Sequence, residues 1–375
     1  MANPLVELRK CGQSPWYDNI ERSLITSGKL QEMIDKDNLM GITSNPAIFE
    51  KAITGSADYD EAIEKMAHEN LTALEIYESL AVEDIQMAAD VLQQVYRRSD
   101  GKDGFVSLEV SPLLADDTEG TIAEAKRLWA EVDRANVMIK VPATTAGIPA
   151  VQRLIGEGMN VNVTLMFSQS VYEAVAEAYI AGLETLADKN DDLGRVNSVA
   201  SFFISRIDTL VDSKLDEKLE TAEHPRERAK LQSLKGRVAI ANAKLTYQTY
   251  KSIIASERWQ KLAAKGANTQ RLLWASTSTK NPEYSDVMYV EELIGADTVN
   301  TLPQATMDAF RDHGRTQPTI EGDVSLARDT MSLLEAGGVS MNEITEQLVK
   351  DGVRLFADPF EKLLAAIEKK QQPAG

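Results

Sequence analysis

Cysteine, histidine and long apolar runs are nearly missing from this chain. Its one cysteine, Cys11, among 375 residues cannot close an internal disulfide, which fits a reducing compartment and a cytoplasmic location. No apolar stretch reaches the roughly 18 to 20 residues that span a bilayer, and the opening MANPLVELRK has no apolar signal core. The three histidines, His68, His224 and His313, stand in separate helical or loop stretches. They make no metal-ligand spacing and read as surface side chains. GxGxxG after a strand, GxxxxGK[ST], HExxH, GxSxG and CxxC are all lacking, so nicotinamide, nucleotide-loop, zinc and serine-triad chemistries have no motif to rest on. Neither a metal nor an organic cofactor is expected. Positive charge is also short: 40 basic against 58 acidic residues give a net charge of -18. Nucleic acid and anionic membranes need a cationic surface and are not expected partners. An anionic small molecule would need a local positive pocket inside an acidic whole.

What is present is ordinary globular material, 43% hydrophobic and 26% charged, in a regular alternation. PWYDNI and NLMGITSN bracket the helical ERSLITSGKLQEMIDKD near the start. GFVSLEVS (104–111), NVMIKVPA (136–143), MNVNVTLMF (159–167), NSVASFFIS (197–205), RLLWASTS (271–278) and DTVNTLP (297–303) each precede a helix-like run. Eight strand candidates separated by helices predict an α/β fold with a parallel sheet closed as a (β/α)8 TIM barrel. Residues 1–375 read as a single barrel domain with no Gly/Ser/Pro linker. Residues 54–100 form a helical insertion after the second strand, and 315–375 a C-terminal helical extension. In that extension Leu348, Leu355, Phe356, Phe360, Leu363, Leu364 and Ile367 predict helices packed on the outside of the barrel.

Several strands alternate polar and apolar residues, unlike the continuous apolar runs usual in covered parallel strands. Ser107, Glu109 and Ser111 share one face. Asn160, Asn162 and Thr164 share another, and Lys140 alternates with Ile139 and Val141. The polar sets should point to the barrel axis. A lysine held there is poorly solvated, which favours a neutral amine able to attack a ketone and form a Schiff base. Spacing alone equally describes a strand-end lysine that snorkels to water or pairs with Glu109. Glu109 suits proton shuttling or a salt bridge to Lys140 or Arg206. Asp18 stands where barrel active sites collect, or caps the helix from Glu21. Asn45 is a binding or a turn residue; Asn162 and Thr164 bind or merely fill the interior. Ser201 and Arg206 after the sixth strand, and Ser276 and Lys280 after the seventh, suit a phosphate, or a solvated loop.

The strings GITSNPAIF, SLEVSP, MIKVPAT, NVTLMFS, SFFISR and WASTSTKNP resemble, in order and spacing, the transaldolase family, in particular its longer bacterial-type branch. The similarity runs from Trp16 to Pro303. It implies that Lys140 is the Schiff-base lysine and Glu109 an acid/base working through a water held by Thr164, with Asn162 beside it. It implies that Asp18 takes the proton of the cleaved hydroxyl, that Asn45 holds the dihydroxyacetone moiety, and that Arg206, Ser201 and Ser276 bind phosphate or hydroxyls. Two positions depart from the shorter members. They carry Ser-Pro-Phe-x-Gly-Arg at SFFISR, and an arginine soon after the position of Ser276, where this chain reads STSTK. Lys280 is the chemical substitute for that arginine. The related fructose-6-phosphate aldolase-like group carries Gln where this chain has Glu109 and Tyr where it has Phe203, so the resemblance favours transfer.

The implied activity moves a dihydroxyacetone unit from sedoheptulose 7-phosphate to glyceraldehyde 3-phosphate. Its alternatives are a Schiff-base lyase and a non-catalytic sugar-phosphate-binding barrel. The expected partners are small sugar phosphates, with the chain a monomer or homodimer.

Overall fold

The computed structural model describes residues 3–189 and 192–371; the last residues of the predicted extension, 372–375, lie outside it. Eight strands form the sheet: β1 (Gln13–Tyr17), β2 (Gly41–Ile42), β3 (Phe105–Glu109), β4 (Val137–Pro142), β5 (Val161–Met166), β6 (Ser198–Phe203), β7 (Arg271–Ala275) and β8 (Thr298–Leu302). Each overlaps one of the eight predicted strings, β1 starting two residues before PWYDNI and ending at its Tyr17. They pair in sequence order into a closed barrel, and β1 pairs with β8 in parallel. This is the (β/α)8 architecture. Connections that cross to a parallel neighbour need many residues, and the helices supply them, including Thr118–Val132, Gly147–Gly156 and Gln169–Asp188. Among the described residues no helix is long and apolar enough to cross a membrane.

The predicted alternation is present in the barrel. Parallel register sets Glu109 beside Lys140 and Lys140 beside Asn162, so three polar side chains stand next to one another inside it. The amino end of the barrel is plugged. Asp103 accepts from Ser14 Oγ at 2.8 Å, Trp16 Nε1 at 3.1 Å and Arg271 Nη2 at 2.9 Å. The opposite, carboxyl end is where active sites of this architecture generally sit.

Two details differ from expectation. The run ERSLITSGKLQEMIDKD makes two helices, Arg22–Thr26 and Lys29–Asp37, and the long region before Ser256 makes three. The larger correction concerns the extension, which does not merely pack on the outside. Its helix Met341–Gln371 contacts the helices that follow β2, Pro46–Gly55, Asp60–His68 and Ala73–Arg98, and also reaches β5. Leu348, Phe356, Phe360, Leu363 and Ile367 are buried, while Leu355 faces solvent. Periodicity finds such a buried stripe but does not say which surface it meets.

Candidate active site

Lys140 projects from the middle of β4 into the barrel and is only 4% exposed. Its Nζ donates to the Ser44 carbonyl at 2.8 Å and lies 3.0 Å from Glu109 Oε2. The second contact has the distance of an ion pair without the alignment of a hydrogen bond, so Glu109 Oε2 has no hydrogen-bond donor. Glu109, at the end of β3, is 9% exposed. Burial pushes its carboxyl above the ordinary range, against the pull of the Lys140 charge. A carboxyl with raised proton affinity at this distance is a group able to give or take a proton beside Lys140.

Above the lysine is a cavity of about 320 Å³ lined by Asp18, Asn45, Lys51, Lys140, Thr164, Ser201, Phe203, Arg206, Ser276, Lys280 and Phe356, among others. Most residues singled out from the sequence meet here. Asp18 follows β1, tied to the sheet through its N–H to the Leu302 carbonyl. It does not cap the next helix, whose N-cap residue Glu21 makes no side-chain cap bond. Instead Thr43 Oγ1 donates to Asp18 Oδ1 at 2.7 Å and itself meets Thr301 Oγ1 at 2.7 Å. Burial raises the Asp18 carboxyl, and the Thr43 hydroxyl and the charges of Lys140, Arg206 and Lys280 oppose the rise.

Asn45 is a cap residue, as one of its two expected readings had it, and it also lines the cavity. Its Oδ1 caps the Pro46–Gly55 helix by accepting from Ile48 N at 3.0 Å. Thr164 Oγ1 is buried with no hydrogen-bond partner. Ser201 Oγ donates to Asn162 Oδ1 at 2.7 Å, and Asn162 Nδ2 donates to Ser107 Oγ at 3.1 Å. Asn162 and Glu109 do not line the cavity; Asn162 holds Ser201 from below.

The far wall is cationic. Arg206 sits in the first turn of the Ser205–Thr221 helix, with its guanidinium 5.3 Å from the Phe203 ring centroid and its Nη1 buried without a partner. Burial lowers the pKa of Arg206. Lys280 is likewise lowered, first by burial and then by the charges of Arg206 and Lys51. Cations held close enough to repel one another are arranged for an anion to relieve them. Ser276, in left-handed backbone at φ 55°, brings its hydroxyl 3.1 Å from Ser205 Oγ at the same wall.

Sequence reasoning passed over Thr43, Thr301, Lys51 and Phe356. Lys51 lies on an exposed helix position and reads as a solvated charge. Phe356 belongs to a helical stripe, and only the fold brings its ring centroid to 5.8 Å from Lys140 Nζ. The histidines lie elsewhere: His68, His224 and His313 are all exposed. Among the described residues no cluster of three or more His, Cys, Asp or Glu side chains could hold a metal.

Comparison with known proteins shows the family. Residues 15–367 match the family described as Transaldolase/Fructose-6-phosphate aldolase. A protein of Trichodesmium erythraeum named Transaldolase is 50% identical over 372 residues, covering 99% of this chain and 98% of that protein. Transaldolase 2 of Nostoc punctiforme is 50% identical over 372 residues, with 98% of each chain covered. Transaldolase of Thermobifida fusca is 45% identical over 371 residues, with 99% of each covered.

Proposed function

The chain belongs to the transaldolase/fructose-6-phosphate aldolase family, and from that premise we propose how its residues carry out the reaction. The activity is that of a transaldolase, a transferase that moves a dihydroxyacetone unit from sedoheptulose 7-phosphate to glyceraldehyde 3-phosphate, giving erythrose 4-phosphate and fructose 6-phosphate. The observation that carries the mechanism is the buried Lys140 Nζ, 3.0 Å from Glu109 Oε2, beneath a cavity whose far wall holds Arg206, Lys280 and Lys51.

The ketose enters with its phosphate at those three cations. Asn45 and Ser201 orient the hydroxyls near C1 to C3, and Ser276 joins the phosphate end. Lys140, its proton passed to Glu109, attacks the C2 carbonyl. Glu109 returns a proton to the carbinolamine oxygen through a water held at Thr164 Oγ1, and that oxygen leaves as water. The iminium withdraws electrons from C3. Asp18, ionised and held by Thr43, takes the C4 hydroxyl proton, the C3–C4 bond breaks, and erythrose 4-phosphate departs as the aldehyde. The dihydroxyacetone enamine remains on Lys140. Glyceraldehyde 3-phosphate enters, C3 attacks its carbonyl carbon, Asp18 returns the proton to the new hydroxyl, and hydrolysis of the iminium frees fructose 6-phosphate. Glu109 and Phe203 support transfer rather than release, because the aldolase-like group carries Gln and Tyr at these positions.

Borohydride reduction in the presence of fructose 6-phosphate tests the lysine. The expected result is a stable adduct on the peptide bearing Lys140, abolished in Lys140→Ala while the circular dichroism spectrum stays that of the parent. An adduct that persists in the variant removes Lys140 from the mechanism.

A further inference from the structure

We infer that Phe356 is a specificity-determining residue: an apolar roof over the Lys140 nitrogen that keeps bound dihydroxyacetone for transfer and off the path to release. The inference rests on the Schiff-base role of Lys140. Phe356 is 5% exposed, lines the cavity shared by Lys140 and Asp18, and has its ring centroid 5.8 Å from Lys140 Nζ.

The ring is fixed from several directions. One helical turn before it, Gly352 passes so close to β5 that a Cβ there would lie 2.8 Å from Leu165 Cδ2. Leu165 occupies left-handed backbone at φ 59°, where the pairing of β5 with β6 shifts register. A leucine in that region is an uncommon conformation, and here it turns a side chain from the barrel rim to meet the C-terminal helix. One turn after Phe356, Phe360 packs edge-on against Tyr77 at 5.5 Å, and Tyr77 against Phe49 at 5.9 Å. Near the helix end, Lys370 Nζ donates to the Ile53 carbonyl at 3.3 Å and Gln371 Nε2 to the Leu71 carbonyl at 2.8 Å. The helices after β2 and the helix after the barrel thus clasp each other across the mouth, and Phe356 is the aromatic side chain this clasp lowers toward the amine.

The chemistry gives the ring a task. After aldehyde departure the enamine has two fates. It can attack a second aldehyde, or C3 can take a proton, from Asp18 or from solvent, to give the dihydroxyacetone iminium. Water then adds to C2 of that iminium, the C–N bond breaks, and free dihydroxyacetone leaves with Lys140 restored as the amine. The second fate consumes one water and no acceptor. A ring over the nitrogen occupies space from which bulk water would approach C2, and exclusion of water from reactive intermediates is a recognised means of suppressing hydrolysis. A phenyl group offers no proton and no hydrogen bond to a water.

The test uses the full-length enzyme with fructose 6-phosphate. Free dihydroxyacetone is measured without acceptor and sedoheptulose 7-phosphate with erythrose 4-phosphate, and their ratio is the readout. Phe356→Ala should raise that ratio by roughly tenfold or more, while borohydride still labels Lys140. Phe356→Leu, which keeps most of the apolar volume, should stay near the parent ratio. A folded Phe356→Ala with the parent ratio overturns the proposal, as does Phe356→Leu releasing as much as Phe356→Ala. Should Phe356→Ala fail to fold, Phe356→Val removes the ring with less loss of volume, and a parent ratio there overturns it equally. Absence of any borohydride label in the parent would instead count against the Lys140 mechanism, so the two failures are distinguishable.

Discussion

Asp18 draws its proton affinity from its surroundings rather than from carboxyl chemistry alone. Burial raises it, and the Thr43 hydroxyl, 2.7 Å away, is the largest opposing influence. A base must be ionised to work, so the acid limb of kcat/KM should lie above the ordinary carboxylate range. Removing a hydrogen bond to the ionised form raises the pKa further. Thr43→Val should therefore move the acid limb to higher pH, checked by a pH profile of the two enzymes; an unmoved limb would mean that Asp18 does not set it. Lys51 makes a second residue-level case. Its charge acts on Lys280 in the same cavity, and Lys51→Ala should raise KM for phosphorylated substrates by up to about tenfold, the worth of one charge-assisted contact. Unphosphorylated glyceraldehyde as acceptor should be unaffected, and Lys51→Arg should recover most of the loss. Lys140, Glu109 and Thr164 stand out in the sequence as polar residues on strands, but spacing left each a plain structural reading, and it was the family resemblance that gave them roles. Thr43, Lys51 and Phe356 do not stand out, because a threonine, an exposed helical lysine and a phenylalanine in an amphipathic stripe are each ordinary where they stand.

Among the elements, the strands were the most readable, since alternation of period two survives any arrangement of the helices around them. Only β2 is much shorter than its string, two residues of NLMGITSN. The helices were found by periodicity, but their breaks and partners were not, because those depend on tertiary contacts. The Ser205–Thr221 helix shows such a contact. Asp208 accepts from Ala239 N and from Tyr289 Oη, both at 2.8 Å, joining this helix to the Val238–Ile254 helix and to the segment after β7. Burial pushes its carboxyl from the usual 3.8 up to about 7. A raised acid favours the folded state while protonated, so this contribution is complete below about pH 4 and is lost as pH rises through about 7. Asp208→Asn does not titrate and gives up an acceptor. Urea unfolding should show it less stable than the parent by a margin that is wide at pH 5 and narrower at pH 8. A margin that widens with pH would reverse the assignment.

At the scale of the whole molecule, the barrel supplies the reacting groups and the added helices supply their enclosure. The candidate site could be read in part because Lys140 and Glu109 ride on strands, whereas its cover comes from segments far apart in the chain, 46–98 and 341–371, whose meeting no local pattern announces. That separation has a consequence for a chain made from the amino end onward, with early parts folding first. The last strand is complete at Leu302, and by then Lys140, Glu109, Asp18 and all three cations, Lys51, Arg206 and Lys280, have been added, yet residue 356 is still more than fifty positions from being added. On the role inferred for Phe356, the side chain that guards the bound fragment is thus added only after the whole barrel that would hold it.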